Sequence, residues 1–274
     1  MKNILLLTNF TESSSRAIEQ FMRVFAPKLA ETCQFILLHA WRQPRTGRFQ
    51  MINLDDYLQE VSGYELQKEQ ARLIKMLPGR KPRIALESKH GDIVAVLNLV
   101  CEERDPDLIV MGTKGSSIFR EVLAGRTTGR IIRKMKVPLL IIPESVEFRY
   151  PQRIVLASEM EECTNEEDFK RLADIVRLFM SEFIILHVFK DEKPPTDRFE
   201  NCMKKYLDGI SYEFQYLQHM QVAEAITEFS SNMKADLLAL VCHNENLLIK
   251  LFKHSVSTKL TQRAELPMLI IHEG

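Results

Sequence analysis

The sequence predicts an α/β fold built twice, each copy a five-stranded parallel sheet with helices on both faces. Three observations lead there. Apolar runs of strand length alternate with amphipathic helical patterns along the whole chain, which is the signature of parallel strands joined by crossover helices. The strand-like runs, such as "ILLL" at 4–7 and "LLII" at 139–142, are apolar without alternation, as strands buried on both faces must be. The pattern also recurs. "NILLLTNF" at 3–10 matches "RIVLASEM" at 153–160, an offset of 150, and "FILLHAW" at 35–41 matches "FIILHVF" at 183–189, an offset of 148.

The repeat defines the domains. "DLIVMG" at 107 matches "DLLALV" at 236, an offset of 129, and "VPLLIIPE" at 137–144 then falls on "LPMLIIHE" at 266–273 without a gap. The falling offset places the missing residues of the second copy between its second strand and its third helix. Residues 1–145 and 151–274 are the expected domains, joined by "PESVEFRYPQR", whose prolines at 143 and 151 suit a linker.

In the first copy "ILLL" leads to Thr11, Ser13 and Ser14, hydroxyls suited to a helix start. Ala17, Phe21, Val24, Phe25 and Leu29 then recur at three- and four-residue steps, one face of a helix. "FILLHA" is the second strand, and helical character follows around "LQKEQARLIKML". "RIALES" is the third strand, and "DIVAVLNLVCEE" is a helix begun by Gly91-Asp92. "LIVM" is the fourth strand, "TTGRIIRKM" a helix and "VPLLII" the fifth strand.

Composition excludes several classes. Lys plus Arg and Asp plus Glu number 37 each, so no net field favours nucleic acid or an anionic membrane. Five scattered cysteines without a CxxC pair support neither a disulfide framework nor a zinc knuckle, and reduced thiols are expected. The opening "MKNILLLTNF" is too short for a secretory leader, and nothing approaches the ~20 apolar residues that span a bilayer. A cytoplasmic location is the expectation.

The chemistry concentrates in "MGTKGSSIFREVLAGRTTG" at 111–129. Ligands of open parallel sheets settle beyond the carboxyl ends of the strands. Gly112 sits at such an end, where a glycine allows close approach of a ligand or a positive φ. Gly115 extends that freedom, Lys114 offers a phosphate partner, and Gly125 precedes a helix whose free N–H groups, with the Thr127 and Thr128 hydroxyls, attract phosphate. Turns and a helix cap are the alternative use of the same glycines. A Walker A loop needs Gly-Lys followed by Ser or Thr, and a dinucleotide fingerprint needs its glycines after the first strand; neither is present.

The spacing G-x2-G-x9-G, with "LLLTNFTESSSRAI", "ILLHA", "DLIVMGTKG" and "VPLLII", resembles the universal stress protein family over nearly the whole chain, in its tandem two-domain form. That resemblance implies two Rossmann-like domains of the adenine-nucleotide α-hydrolase-like class, and a cytoplasmic stress-response module that senses nucleotide. It implies that ATP or another adenine nucleotide, with Mg, would be held by Thr8, Asn9 and Ala40 at the base and ribose. Met111, Gly112, Lys114 and Gly115 would line the loop, and Gly125, Arg126, Thr127 and Thr128 would meet the phosphates. Two positions depart from the family's pattern: Asn9 stands for the usual Asp, and Arg126 for the usual Ser. Arg126 suits either a bidentate phosphate clamp or a plug that closes the pocket. A nucleotide-free dimeric scaffold is therefore the alternative function.

The second copy carries Val241, Asn244 and His254 where the first has its three glycines, and Glu159 where the first has Asn9. It is expected to be degenerate and to serve as a packing partner. Related family members pair through fifth strands, so "VPLLIIPE" and "LPMLIIHE" are expected to form an internal pseudo-dimer, and two chains to form a homodimer that an unknown protein partner reads. No nucleic acid or membrane partner is expected. His39 and His187 occupy equivalent strand ends and read as structural; no catalytic residue, metal-ligand set or serine elbow is evident, so any ATP hydrolysis should be slow and incidental.

Overall fold

The computed structural model describes residues 1–43, 54–77, 79, 81–114, 127–158, 166–191, 197–242 and 266–272. The chain falls into two compact units, Met1–Gly112 and Thr113–Gly274.

The first unit runs β1 (Asn3–Leu7), α1 (Glu12–Leu29), β2 (Gln34–Trp41), α2 (Leu54–Lys75), β3 (Arg83–His90), α3 (Ile93–Arg104) and β4 (Leu108–Thr113). The strands are parallel in the order β3-β2-β1-β4. Strands β1 and β4 are buried almost throughout, which is why their sequences are continuous apolar runs. Helix α1 turns Ala17, Ile18, Phe21, Met22, Phe25 and Leu29 inward, and Phe21 stacks on Phe25 at 4.4 Å. Helix α3 begins as expected: the Asp92 side chain accepts from the Val94 N–H at 3.0 Å, satisfying one of the free donors of the first turn.

Arg72 ties α2 to α1. Its guanidinium donates to Glu69 at 2.8 Å on its own helix, and to Glu19 at 2.5 Å and the Ser15 carbonyl at 3.0 Å on α1. The bond to Glu69, and then that to Glu19, hold the guanidinium charged against the cost of its partial burial. Burial opposes ionisation of Glu19, but its bonds to Arg23 and Arg72 prevail and keep its carboxyl below the usual range.

The second unit runs α4 (Thr127–Lys134), β5 (Leu139–Pro143), β6 (Arg153–Ala157), α5 (Glu166–Phe179), β7 (Glu182–Phe189), α6 (Asp197–Tyr206), β8 (Tyr212–Gln218), α7 (Val222–Asn232), β9 (Leu237–Cys242) and β10 (Met268–His272). Its strand order is β5-β10-β9-β6-β7-β8. All its resolved pairings are parallel except β5 with β10, which is antiparallel with Leu140 opposite Leu269. The fifth strand of the first copy thus lies in the second compact unit, Thr113–Gly274.

The same hydrogen bonds recur in both units. Asp107 Oδ2 accepts from the backbone N–H groups of Lys2 and Asn3, at 2.5 and 3.1 Å. Asp236 Oδ2 accepts from Gln152 and Arg153, both at 2.9 Å. Each aspartate thus ties the start of the central strand to the segment entering its neighbour.

Cys33 and Cys101 are free, and burial pushes both thiols up to about 11. Cys202 is disulfide-bonded, which corrects the expectation of reduced thiols throughout. Spacing along the chain does not reveal which sulfurs the fold brings together. Among the described residues no helix is long and apolar enough to cross a membrane.

Candidate functional site at the switch point of the first unit

In the first unit the chain lays down β1, β2 and β3 outward in one direction and then returns to place β4 on the other side of β1. The strand order therefore reverses between β1 and β4, and the crevice beyond their carboxyl ends is where open α/β sheets take ligands. Leu7 is paired with both Leu38 and Met111, so the next residues out are Thr8 and Asn9 after β1, His39 and Ala40 on β2, and Gly112 on β4. Thr8, Asn9, Ala40, Met111 and Gly112 thus converge on one end of the sheet.

Gly112 is extended, not left-handed, so the positive φ expected as one use of this glycine does not occur. The structure gives it a different purpose. A Cβ there would lie 2.3 Å from the carbonyl oxygen of Ser13 and 3.0 Å from the Ala17 side chain. The first turn of α1 rests directly on the Gly112 backbone, which brings that turn to the switch point. Only a residue without a side chain permits this approach.

The β1–α1 turn is organised by its own polar groups. The Thr8 N–H continues the ladder to the Leu38 carbonyl at 2.9 Å, and the buried Thr8 Oγ1 accepts from the Phe10 N–H at 3.0 Å. Asn9 Oδ1 accepts from the Thr11 N–H at 3.3 Å and from Thr11 Oγ1 at 2.6 Å. Thr11 stands at the N-cap of α1, where its side chain makes no cap bond and its hydroxyl donates to Asn9 Oδ1. Ser13 and Ser14 belong to the same web, Ser13 Oγ at 3.0 Å from Thr11 Oγ1 and Ser14 Oγ donating to the Thr11 carbonyl at 2.9 Å. The hydroxyls expected as caps instead fix the turn's shape. Asn9 is exposed and its oxygen is engaged, so its NH2 is the group it presents outward.

Phe10 and His39 were not singled out as site residues by sequence, yet they shape this end of the sheet. Phe10 has a φ of 58°, strained for an aromatic residue, and its ring lies 4.3 Å from the His39 ring. His39 belongs to a directed chain of hydrogen bonds. The Trp41 Nε1–H donates to Ser88 Oγ at 3.1 Å, and Ser88 Oγ donates to the buried Ser62 Oγ at 2.6 Å. The Ser62 proton is then free to go to His39 Nδ1 at 2.9 Å, which assigns the ring proton to Nε2. Burial holds this imidazole below its ordinary pKa and so in the neutral form. The only sequence signal for this network is the repetition of His39 at His187, whose own Nδ1 pairs with the Ser158 carbonyl at 3.1 Å.

Of the remaining expected residues, Lys114 is exposed and follows Thr113, whose buried Oγ1 has no hydrogen-bond partner among the described residues. Thr127 and Thr128 open α4, Thr127 exposed and Thr128 buried. Both belong to the second unit. Gly115, Gly125 and Arg126 lie outside the described residues, as do Glu159, Asn244 and His254 of the second copy. Val241, the counterpart of Gly112, is fully buried in β9. Because Gly112 itself is extended, the consequence of Val241 is side-chain volume, not a forbidden φ. Among the described residues no cluster of three or more His, Cys, Asp or Glu side chains is placed to hold a metal ion.

The model of the universal stress protein family matches residues 1–143, which contain this switch point and the turn above it. The chain belongs to the universal stress protein family. No curated protein matches it. Solved universal stress proteins share its fold. One from Archaeoglobus fulgidus is 16% identical, with a TM-score of 0.71 over 99% of this chain and 98% of that one. A putative universal stress protein from Pseudomonas aeruginosa is 9% identical, with a TM-score of 0.53 over 99% of this chain and 93% of that one. At these identities the likeness speaks for the fold alone.

Proposed function

We propose that this universal stress protein binds an adenine nucleotide at the β1/β4 switch point of its first unit and acts as a nucleotide-sensing module. The observation that carries the proposal is the convergence of Thr8, Asn9, Ala40, Met111 and Gly112 beyond the carboxyl ends of β1, β2 and β4, with the first turn of α1 docked on the Gly112 backbone. Crevices of this kind hold nucleotides in open α/β sheets. ATP, carrying its own Mg, is the ligand proposed. Occupancy links the β1–α1 turn to the end of β4 through the ligand, and a protein partner reads the occupied state. Turnover is not part of the proposed function, and any ATP hydrolysis is proposed to be slow and incidental. A stress-response role in the cytoplasm is the setting proposed.

A second reading rests on one observation. The Thr8, Thr11, Ser13, Ser14 and Asn9 side chains are already bonded to one another or to the turn's backbone, which suits a nucleotide-free scaffold. Mass spectrometry of the supernatant from freshly denatured protein, followed by ATP titration calorimetry, separates the two. Adenine nucleotide at one site per chain is the result expected; no nucleotide and no heat of binding would favour the scaffold.

A further inference from the structure

His39 and His187 occupy the same place in the two copies, near the carboxyl ends of β2 and β7, yet their ring protons are placed differently. His187 Nδ1 lies 3.1 Å from the Ser158 carbonyl oxygen, which can only accept, so Nδ1 holds the proton. That ring is buried and tied to backbone. His39 Nδ1 instead accepts from Ser62, which leaves the proton on Nε2, at the outer tip of the ring. Ser62 stands on α2, whereas α6, which follows β7 as α2 follows β2, contains no serine or threonine. Trp41, Ser88 and Ser62 thus act in series to hold one tautomer of His39.

No described residue bonds to the Nε2–H so placed. Among the described residues the one buried side-chain nitrogen or oxygen without a partner is Thr113 Oγ1, so the His39 N–H is not sealed in the core. The half-buried Phe10 ring lies 4.3 Å from the imidazole. Asn9, one residue before Phe10, offers its NH2 while its oxygen is bonded to Thr11. An aromatic ring and two N–H donors therefore stand together beyond the ends of β1 and β2. Burial keeps the imidazole neutral, and no charge on a described residue acts on it. Charged donors bind phosphate best, whereas a neutral donor beside an aromatic face suits an uncharged acceptor.

We propose, on the reading that this crevice takes a nucleotide, that His39 is one of its binding residues: the Nε2–H donates to an uncharged acceptor atom of the nucleoside, beside the Phe10 ring. Ser62 is then a positioning residue, which acts on the ligand only through the imidazole. In the second copy the same strand position directs its Nδ1 proton to the Ser158 carbonyl, so it has no equivalent contact to make.

Titration calorimetry of the full chain with Mg·ATP and with AMP, beside nitrogen-15 NMR of the imidazoles at neutral pH, tests this. The wild type is expected to bind both, with the His39 proton on Nε2 before ligand is added and the Nε2 resonance shifted afterwards. His39→Leu should weaken both ligands about tenfold, the effect of one lost hydrogen bond whose acceptor stays unpaired. His39→Gln, whose amide nitrogen takes the place of Nε2, should recover most of that loss. Ser62→Ala should let both tautomers of His39 populate and weaken binding less than His39→Leu does; His187→Gln should leave affinity unchanged. Far-ultraviolet circular dichroism checks that each variant is folded. A His39 proton found on Nδ1 in the ligand-free wild type overturns the proposal. So does equal affinity in the wild type and His39→Leu, which leaves the nucleotide site itself standing, or a loss confined to ATP, which makes His39 a phosphate contact. A wild type that takes up neither nucleotide overturns the site and this contact together.

Discussion

Gly112 and Ser13 are held so close that a methyl group on Gly112 would stand 2.3 Å from the Ser13 carbonyl oxygen. The obstruction is backbone, which cannot swing aside as a flexible side chain can. Gly112→Ala is therefore expected to cost about 1–3 kcal/mol, the range of overpacked cores. Gly63, inside α2, is the contrast: a Cβ there meets nothing within 4 Å. Gly63→Ala is expected to stabilise by about 1 kcal/mol through helix propensity. Urea unfolding of the two variants beside the wild type checks both signs.

Met180 ends α5 with a φ of 52° and is 89% exposed, so it holds a left-handed cap position with little packing in return. Glycine takes that conformation without strain. Met180→Gly should raise stability by about 0.5–1 kcal/mol, read as a higher midpoint in urea. An unchanged or lower midpoint would mean that the methionine side chain contributes more than its exposure suggests.

Burial lowers the pKa of His39 from 6.5, so as pH falls the unfolded chain takes up a proton at this residue before the folded protein does. Stability from this group is full above about 6.5, declines as pH falls through that value, and is lost once pH passes the lower folded pKa. His39→Gln should flatten the slope of unfolding free energy between pH 7.5 and pH 5.5. Glu19, held below 4.5, acts only in a more acidic window and leaves this one undisturbed.

Asp107 and Asp236 each accept two backbone N–H bonds at the start of a central strand. Removing either carboxylate leaves two donors short of partners. Asp107→Ala and Asp236→Ala are each expected to cost about 1–2 kcal/mol, with the asparagine variants milder because one acceptor oxygen remains. Chemical denaturation of the four variants tests the equivalence directly.

Much of this was legible in the sequence, for physical reasons that differ by residue. Strands buried on both faces must be continuously apolar, so "ILLL", "FILL" and "LLII" marked β1, β2 and β5 by composition alone. Asp92 marked the start of α3 because a free helix N-terminus needs a short polar acceptor. The position of Gly112 was legible but its purpose was not, since a close approach by α1 leaves no trace in the glycine's own neighbours along the chain. The Asn9–Thr11 bond needed coordinates, because the sequence marks Asn9 as a ligand residue and Thr11 as a helix start, with nothing to join them.

The central proposal is that the first unit's switch point takes a nucleotide and that the counterpart in the second unit, where Val241 replaces Gly112, does not. Hydrogen–deuterium exchange with and without saturating Mg·ATP tests it most directly. The account predicts slowed exchange in Thr8–Ser14 and in the segment around Gly112, with the segments around Ser158 and Val241 unchanged. Identical exchange in both samples, or protection confined to Ser158 and Val241, would contradict it.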